Sequence, residues 1–590
     1  MKHNGKTRGV VLAVLLGSLL SGCSLDGKDG DTGPAGATGP AGATGPAGSA
    51  GQNAQNGIAL TAIARFSTGT YGAGAAEIVQ FHHASSRIFV VNGAANKVEV
   101  LDGSGLKTAA LSDPLTVNNL SSTPLLMPAT VTVRNSLDQD ENLALGFANS
   151  IAIWGNWLAV AVENKIKTAP GAVLFFDISA APVLRYAVKV GSLPDMLTFT
   201  KDGSKVLVAN EGEPAADYLT DPEGSVSVIA MSQQQPALQA QHILFTGLNS
   251  QKAQLAAKGV KFASPASTTV AQDLEPEYIT FSADQQKAYV ALQENNALAV
   301  LNLTNNTVEK LLPLGFKDHS QSRNTLDVSN RDGVNLGSVP KLYGMYQPDT
   351  IASYSWNGAT FIVSANEGDA RDYPGYSEQA RVASLTRSDS LQQSQAAIYS
   401  ATGLGRLNVS TALGKNEEGK FDALYAFGAR SFSIWDQNGM QVFDSGNDFE
   451  RISAALHAEK FNSNHLTVEG DNRSDDKGPE PEALALGRVG DRTYAFIGTE
   501  RMSSVFIYDI TNPYQPVFID YLLNRDLNAQ YSINDDVQPA VVSGNVQQAG
   551  DLGPESIVFV DAQHSPTKQP LLMIANEVSG SVTVFHIQVK

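Results

Sequence analysis

Acidic residues recur in pairs along this chain, at matching places in copies of one short phrase. In the clearest copy, between Gly478 and Ile510, Glu482 opens one predicted strand and Glu500 follows the next. The acids at the first position are Glu77, Asp195, Glu277, Asp349, Glu482 and Glu555, and those at the second are Glu163, Glu211, Glu294, Glu367, Glu500 and Glu577. Carboxylates repeated in this way offer oxygen ligands to a cation.

The chemistry of these acids depends on whether the fold brings them together. Converging carboxylates repel one another unless cations, basic side chains or protons compensate. Calcium suits such a set because it takes about six to eight oxygen ligands, whereas the nine histidines show no spacing typical of zinc. The predicted calcium ligands are Glu77, Asp195, Glu211, Glu277, Glu294, Asp349, Glu367, Glu482, Glu500, Glu555 and Glu577. The alternative is that the acids cap strand ends or pair with arginine and lysine.

The repeated phrase also predicts the fold. Each copy reads as three short apolar strands separated by turns, and a fourth strand usually follows. Seven such copies, between residues 58 and 590, predict an all-β, seven-bladed β-propeller, because no single unit can bury both of its faces. The last copy has three strands, and the stretch from Ile58 to Phe66 is a spare one. We therefore expect that stretch to close the ring as the outermost strand of the last blade.

A propeller would place the paired acids at one end of its central channel. The first strand of each blade lines the channel and the second runs back beside it, so the start of one and the end of the other meet at the same mouth. We call this predicted double ring of carboxylates the acidic rim. It is incomplete in two copies, where Gly93 stands at the second position and Asn149 or Ser150 at the first.

The fifth copy carries a long predicted insertion, at about 374–470. It includes a second pair of strands (ALYAFGARSFSIWD and MQVFDSG) and a helix from Asp448 to Lys460, with Asn447 and Glu450 as its capping pair. Long insertions on a rigid ring usually lie over one face and shape a site.

Three loops next to the acidic rim are unusually polar. They read NEGEPAADY (210–218), NEGDARDY (366–373) and DNRSDDKGPEPE (471–482). Their basic members, together with a neighbour on the next strand, could hold a phosphate beside a metal ion; these are Arg371, Arg473, Lys477 and Arg501. Internal salt bridges within a crowded acidic loop are the alternative.

The N-terminus has the order of a bacterial export signal. Basic residues precede an apolar run from Val10 to Leu20 that is too short to span a bilayer. The following Leu20-Ser21-Gly22-Cys23 resembles a lipobox, which predicts cleavage after residue 22 and lipidation of Cys23, the only cysteine in the sequence. Ser24 after the cysteine favours delivery to the outer membrane, so we expect an outer-membrane lipoprotein of the bacterial cell envelope, and its exposure at the cell surface is left open.

Residues 23–57 form a predicted collagen-like stalk. Glycine falls at every third position from Gly27 to Gly51, and only glycine fits at the axis of a triple helix. The segment therefore predicts either a homotrimer or a single flexible stalk, and in both cases a spacer between membrane and propeller. The net charge of −18 argues against nucleic acid as a partner.

Five phrases of the repeat region resemble the choice-of-anchor I family: AAEIV…FVVN, VANEGEP, SANEGDARDY, DNRSDDKGPEPEAL and GTERMSSVFIYDITNP. This family is often labelled alkaline phosphatase-like or likened to a mesenchyme-specific cell surface glycoprotein, and the resemblance covers roughly residues 58–590. It implies variable anchoring at the cell surface, here by lipid and stalk. The phosphatase label implies calcium-dependent hydrolysis of phosphoesters.

Two functions remain open from the sequence. As a phosphatase or phosphodiesterase, the protein would use a metal-bound water with Glu482 as base, and with Arg371 or Arg473 holding the phosphate. The chain contains no G-x-S-x-G nucleophile motif. The alternative is a non-enzymatic binding or adhesion module displayed on a stalk. The sequence names neither a substrate nor a ligand.

Overall fold

The computed structural model describes residues 57–590. The predicted signal peptide, Cys23 and all but the last residue of the predicted stalk lie outside the described residues. Among the described helices, none is long and apolar enough to span a bilayer.

Seven antiparallel sheets, each with four main strands, make up the body of the described chain. Blade one contains Val79–His82, Arg87–Asn92, Lys97–Asp102 and Ser122–Leu126. Blade two contains Asp140–Trp154, Trp157–Asn164, Pro170–Asp177 and Val183–Ser192, with Thr130–Arg134 added beside its first strand. Blade three contains Pro194–Phe199, Lys205–Asn210, Ser225–Ser232 and Gln241–Leu244, with the short Gln235–Pro236 beside its third strand.

The other four sheets follow the same plan. Blade four contains Pro276–Phe281, Lys287–Leu292, Ala297–Asn302 and Thr307–Pro313. Blade five contains Ile351–Trp356, Ala359–Asn366, Ser431–Asp436 and Gln441–Asp444. Blade six contains Pro481–Val489, Arg492–Thr499, Ser504–Asp509 and Val517–Leu523. Blade seven contains Pro554–Val560, Leu571–Asn576, Ser581–Val589 and Ile58–Ser67.

The ring closes as the sequence predicted. Ile58–Ser67 pairs antiparallel with Ser581–Val589 and forms the outermost strand of blade seven. The first strands contact one another in a closed cycle, in which blade seven meets blade one. An apolar cluster lies between each neighbouring pair of blades around this cycle. The core of the propeller is therefore divided into layers between the blades.

Burial on both faces explains the strand sequences. Second and third strands such as Lys205–Asn210 and Ala297–Asn302 are almost continuously buried, because each packs against a blade on either side. Fourth strands such as Thr307–Pro313 are more exposed, since they lie at the outside of the ring.

Elements outside the blades decorate the ring. The α-helices are Lys252–Ala257, Val270–Asp273, Asp389–Gln395 and Asp448–His457. The 3₁₀ turns are Gly93–Ala95, Thr246–Gln251, Ser322–Asn324, Val382–Ser384, Leu404–Arg406, Ala458–Lys460 and Val546–Gln548. The additional strands are Phe316–Asp318, Leu342–Met345, Asp372–Tyr373, Tyr376–Ser377, Gln379–Arg381, Asn408–Ser410, Leu424–Ala426, Tyr531–Asn534 and Val541–Gly544.

The predicted insertion of 374–470 needs correction. Its strand pair is not an extra element: Ser431–Asp436 and Gln441–Asp444 are the third and fourth strands of blade five itself. The chain therefore makes two excursions, 367–430 and 445–480. The helix beginning at Asp448 lies in the second one, but its predicted capping pair is wrong, because the Asn447 side chain donates to Thr325 and Glu450 pairs with Arg430.

Candidate functional site at the channel mouth

Strand register holds the two acids of a blade side by side. In four blades a proline opens the first strand and lies opposite the end of the second strand. These pairs are Pro194 with Asn210, Pro276 with Leu292, Pro481 with Thr499, and Pro554 with Asn576. The first acid follows the proline, and the second follows the end of the second strand by one or two residues. The register is irregular just after each proline, and such bulges re-aim side chains.

Several of these acids line a cavity of about 230 Å³ at the centre of the ring. Its carboxylates belong to Glu77, Asp195, Asp349, Glu555 and Glu577, and its other walls include Asn149, Ser150, Met196, Tyr278 and Leu484. Burial, reinforced by neighbouring carboxylates, raises the pKa of Asp195 to about 6. The same causes raise the pKa of Glu77, Glu211, Glu277, Glu294, Asp349, Glu482, Glu500, Glu555 and Glu577.

Four groups of three side chains in the described chain approach closely enough to share an ion, with one ligand atom from each within 4.8 Å of the others. We name them by position. The blade-four group is Glu211, Glu277 and Glu294; the blade-five group is Asp349, Glu367 and Glu482; the blade-six group is Glu367, Glu480 and Glu500; the histidine group is His465, Glu500 and Glu577. Together they include eight of the eleven predicted calcium ligands.

The blade-six group is neutralised by basic side chains. Glu480 is fully buried and forms ion pairs with Arg473 at 2.6 Å, Arg501 at 3.0 Å and Lys477 at 3.1 Å. These cations hold the pKa of Glu480 well below its usual range, although burial alone would raise it. Lys477 also lies 2.6 Å from Glu367. This part of the acidic rim therefore already carries its counter-charges.

In the histidine group, the imidazole of His465 lies between Arg501 and Glu500. Nε2 of His465 lies 2.9 Å from the Arg501 guanidinium, which can only donate. Burial and nearby arginines hold the pKa of His465 well below its usual value, so the ring is neutral. Its single proton must then lie on Nδ1, which faces Glu500 at 3.2 Å. His465 consequently offers no free lone pair to a metal ion.

In the part of the chain that the structure describes, the blade-four group forms no salt bridge with a basic side chain. Oε2 of Glu277 and Oε2 of Glu294 are buried and have no hydrogen-bond partner in the described structure. Glu294 is only 5% exposed. The charges that act on Glu211 and Glu277 come from other carboxylates, including Asp195, so burial and repulsion both raise their pKa.

The guanidiniums predicted to hold phosphate are committed to carboxylates. Arg371 is 1% exposed and pairs with Glu275 and, at 3.7 Å, with Asp273. Arg473 pairs with Glu480 and with Asp476. These contacts are the internal salt bridges that the sequence offered as the alternative.

Sequence reasoning missed Glu275, Glu480 and His465. The first two had a signal, because Glu-Pro-Glu occurs at 275–277 and at 480–482, and in both places the first glutamate binds arginine. His465 had none, since it stands in an excursion without a repeat.

The two departures from the repeat have local reasons. A Cβ atom at Gly93 would lie 2.9 Å from Oε1 of Glu77, so the Glu77 carboxylate occupies the space that a second side chain would need. Asn149 donates its side-chain amide to the carbonyl of Pro194 and links blade two to blade three. Glu163 accepts from the backbone N–H of Phe147, which fits the strand-capping alternative for this acid.

Comparison with known proteins agrees with the phrases in the repeat region. The choice-of-anchor I domain model matches residues 77–513. The chain belongs to the choice-of-anchor I family. It is 33% identical over 197 residues to Gigasin-3a of Magallana gigas, which covers 31% of this chain and 65% of that protein. It is 29% identical over 308 residues to the mesenchyme-specific cell surface glycoprotein of Strongylocentrotus purpuratus, covering 45% of this chain and 39% of that protein.

The chain thus matches less than two thirds of the length of either relative. Among solved structures, it is similar to the Cps50 (Swd1) β-propeller domain of Myceliophteria thermophila, with a TM-score of 0.38 and 7% identity over 89% of this chain and 100% of the other. The predicted family and all-β class are confirmed.

Proposed function

We propose that this protein is a cell-surface β-propeller whose acidic rim binds calcium, and that it acts as a binding module and not as a phosphoesterase. The surface location is supported by the name of the Strongylocentrotus purpuratus relative, a mesenchyme-specific cell surface glycoprotein. A lipid on Cys23 and a collagen-like stalk, trimeric or single, would supply the anchor in a bacterial outer membrane.

One observation carries the calcium proposal: buried carboxylate oxygens at the channel mouth have no partner in the described chain. They are Oε2 of Glu277, Glu294 and Glu482. A buried acceptor without a partner costs roughly 1–3 kcal/mol, and more when it is charged. A bound cation would supply the missing interaction for several of them at once.

The donor set favours a hard cation. The three groups other than the histidine group offer carboxylate oxygens alone, and calcium and magnesium prefer such ligands. Calcium fits better than magnesium, because magnesium demands near-octahedral geometry and loses its water reluctantly. Zinc is disfavoured because the ring of His465 has no free lone pair.

The phosphoesterase hypothesis lacks an anion-binding group in this geometry. Arg371 and Arg473 are held by two carboxylates each, so neither guanidinium is free to receive phosphate. Glu482 has a carboxylate near a candidate cation position and could serve as a base there. Hydrolysis is therefore supported only by the family resemblance, and binding is the simpler proposal.

The test combines calorimetry with an activity assay. Calcium chloride titrated into the full-length chain after EGTA treatment should release or absorb heat and raise the melting temperature. Absence of both effects would overturn the calcium proposal. Hydrolysis of p-nitrophenyl phosphate or bis-p-nitrophenyl phosphate in calcium, abolished in Glu482→Gln, would replace the binding module with an enzyme.

A further inference from the structure

The compensation of charge around the acidic rim is uneven, and this points to a definite place for the ion. We propose that one divalent cation of calcium's class binds in the blade-four group, between Glu211, Glu277 and Glu294, while the blade-five and blade-six groups stay free of metal. The inference rests on the proposed function, since it assigns the calcium site within the acidic rim.

The spacing of the blade-four group suits one ion. Calcium lies about 2.3–2.6 Å from its oxygen ligands, so two oxygens on the same ion are at most about 5 Å apart. One oxygen from each of the three glutamates falls within 4.8 Å of the others. Water and the second carboxylate oxygens can complete the coordination shell.

The buried, unpartnered oxygens are the second and independent indication. Oε2 of Glu294 belongs to a side chain that is 95% buried, yet it has no hydrogen-bond partner in the described residues. Oε2 of Glu277 is also buried and without a hydrogen-bond partner in the described residues. These two oxygens are therefore available to a bound cation.

The basic side chains near the blade-four group are already paired. Arg371 and Lys261 are the cations that act on Glu294. Arg371 pairs with Glu275, and Lys261 lies 2.6 Å from Glu378. Neither forms a salt bridge with Glu294, so the negative charge of the three glutamates remains for a cation.

The blade-five and blade-six groups are less suited to a metal ion, because their shared residue Glu367 already has partners. Both carboxylate oxygens of Glu367 are engaged, one by Lys477 at 2.6 Å and the other by the side-chain amide of Gln293 at 2.9 Å. Because Glu367 belongs to both the blade-five and the blade-six groups, an ion in either would meet the ammonium of Lys477. In the blade-six group, Glu480 also forms ion pairs with Arg473 and Arg501.

The site also explains the contact between two polar loops. Glu211 begins the blade-three loop, whose Ala216 carbonyl accepts from the N–H of Gly375 in the blade-five excursion. Tyr373 donates to Glu213 and packs edge-on against Tyr218. An ion on Glu211 would fix the start of this loop against blade four.

Terbium provides a direct probe, because it replaces calcium and its luminescence is excited through nearby tyrosines such as Tyr278. Titration of the full-length chain should give one site whose luminescence calcium reverses. Glu294→Gln and Glu277→Gln should each weaken binding at least about tenfold, since each removes a charged ligand. Glu309→Gln, on the outer strand of the same blade, should bind as the wild type does.

The outcomes separate the two proposals. A wild-type chain that binds neither terbium nor calcium overturns the proposed function itself. Wild-type binding that survives both blade-four variants but is lost in Glu482→Gln overturns this assignment and leaves the proposed function standing. Melting in EGTA controls for folding: both variants should be at least as stable as the wild type, because each removes a charge that burial disfavours.

Discussion

On the blade-six side of the acidic rim, Glu480 lies among three basic side chains, whereas on the blade-four side Glu277 faces other carboxylates. Both sites descend from the same Glu-Pro-Glu phrase at the start of a first strand. The pKa of Glu480 is held well below its usual range, and that of Glu277 is raised well above it. Two glutamates of the same phrase, the first one in blade six and the last one in blade four, thus have opposite electrostatic states: the protein neutralises Glu480 and leaves Glu277 for a ligand.

The comparison predicts its largest effect at Glu480. Glu480→Gln would leave Arg473, Arg501 and Lys477 with less compensation in a buried setting, and breaking a buried ion pair costs about 3–5 kcal/mol. Urea unfolding of the full-length chain measures the loss, with the exposed Glu309→Gln as the matched control. A loss below about 1 kcal/mol, typical of a surface pair, would show that this side is not held by its cations.

Calcium should give the next largest change in the free energy of unfolding, and this change should depend on the blade-four group alone. At about 100 times its dissociation constant, a ligand that binds only the folded state stabilises by about 2.7 kcal/mol. We expect that gain in the wild type and in Glu309→Gln, and at most about half of it in Glu294→Gln, whose binding should be at least about tenfold weaker. Equal gains in all three proteins, measured by urea unfolding with and without calcium, would remove the distinction between the two sides.

In EGTA, the substitution Glu277→Gln should stabilise the protein. The neutral amide removes a buried charge that Glu294, Asp349, Glu211 and Asp195 repel. We expect a gain of about 1 kcal/mol, the lower end of the roughly 1–3 kcal/mol that a buried acceptor without a partner costs. The same chemical change therefore has opposite signs at Glu277 and Glu480. Destabilisation at Glu277 in EGTA would mean that its carboxylate has a partner.

The last expected effect is a dependence on pH. The folded pKa of Asp195 is raised to about 6 from 3.8, so its contribution to stability is full below about pH 4 and is lost as pH rises through about 6. In EGTA, the free energy of unfolding of the wild type relative to Asp195→Asn should fall across this window. A difference that rises with pH would indicate a carboxylate stabilised by its charge.

The sequence predicted more of the ring than of its excursions. Alternation and the repeated phrase located the strands, because burial between blades imposes the same pattern on every copy. They also predicted that Ile58–Ser67 would close blade seven. The outer strands of blade five were misplaced, since the chain leaves the sheet at Asn366 and returns only at Ser431. No local sequence pattern shows where the chain rejoins a sheet after so long an excursion.

The candidate site, too, could be predicted from the sequence only in part. The acids that repeat could be found by spacing alone, and the structure brings most of them together at one mouth. The sequence also offered Lys477, Arg473 and Arg501 as basic partners, but not which acid each one binds, because they lie in a loop and a turn outside the repeated positions. Which acids are neutralised depends on those single contacts, and so does the difference between the two sides.

The most direct measurement is an anomalous difference map from crystals of the protein grown with terbium. We expect one strong peak among the carboxylates of Glu211, Glu277 and Glu294. A peak on Asp349, Glu367 and Glu482 instead, or none at the acidic rim, would contradict it.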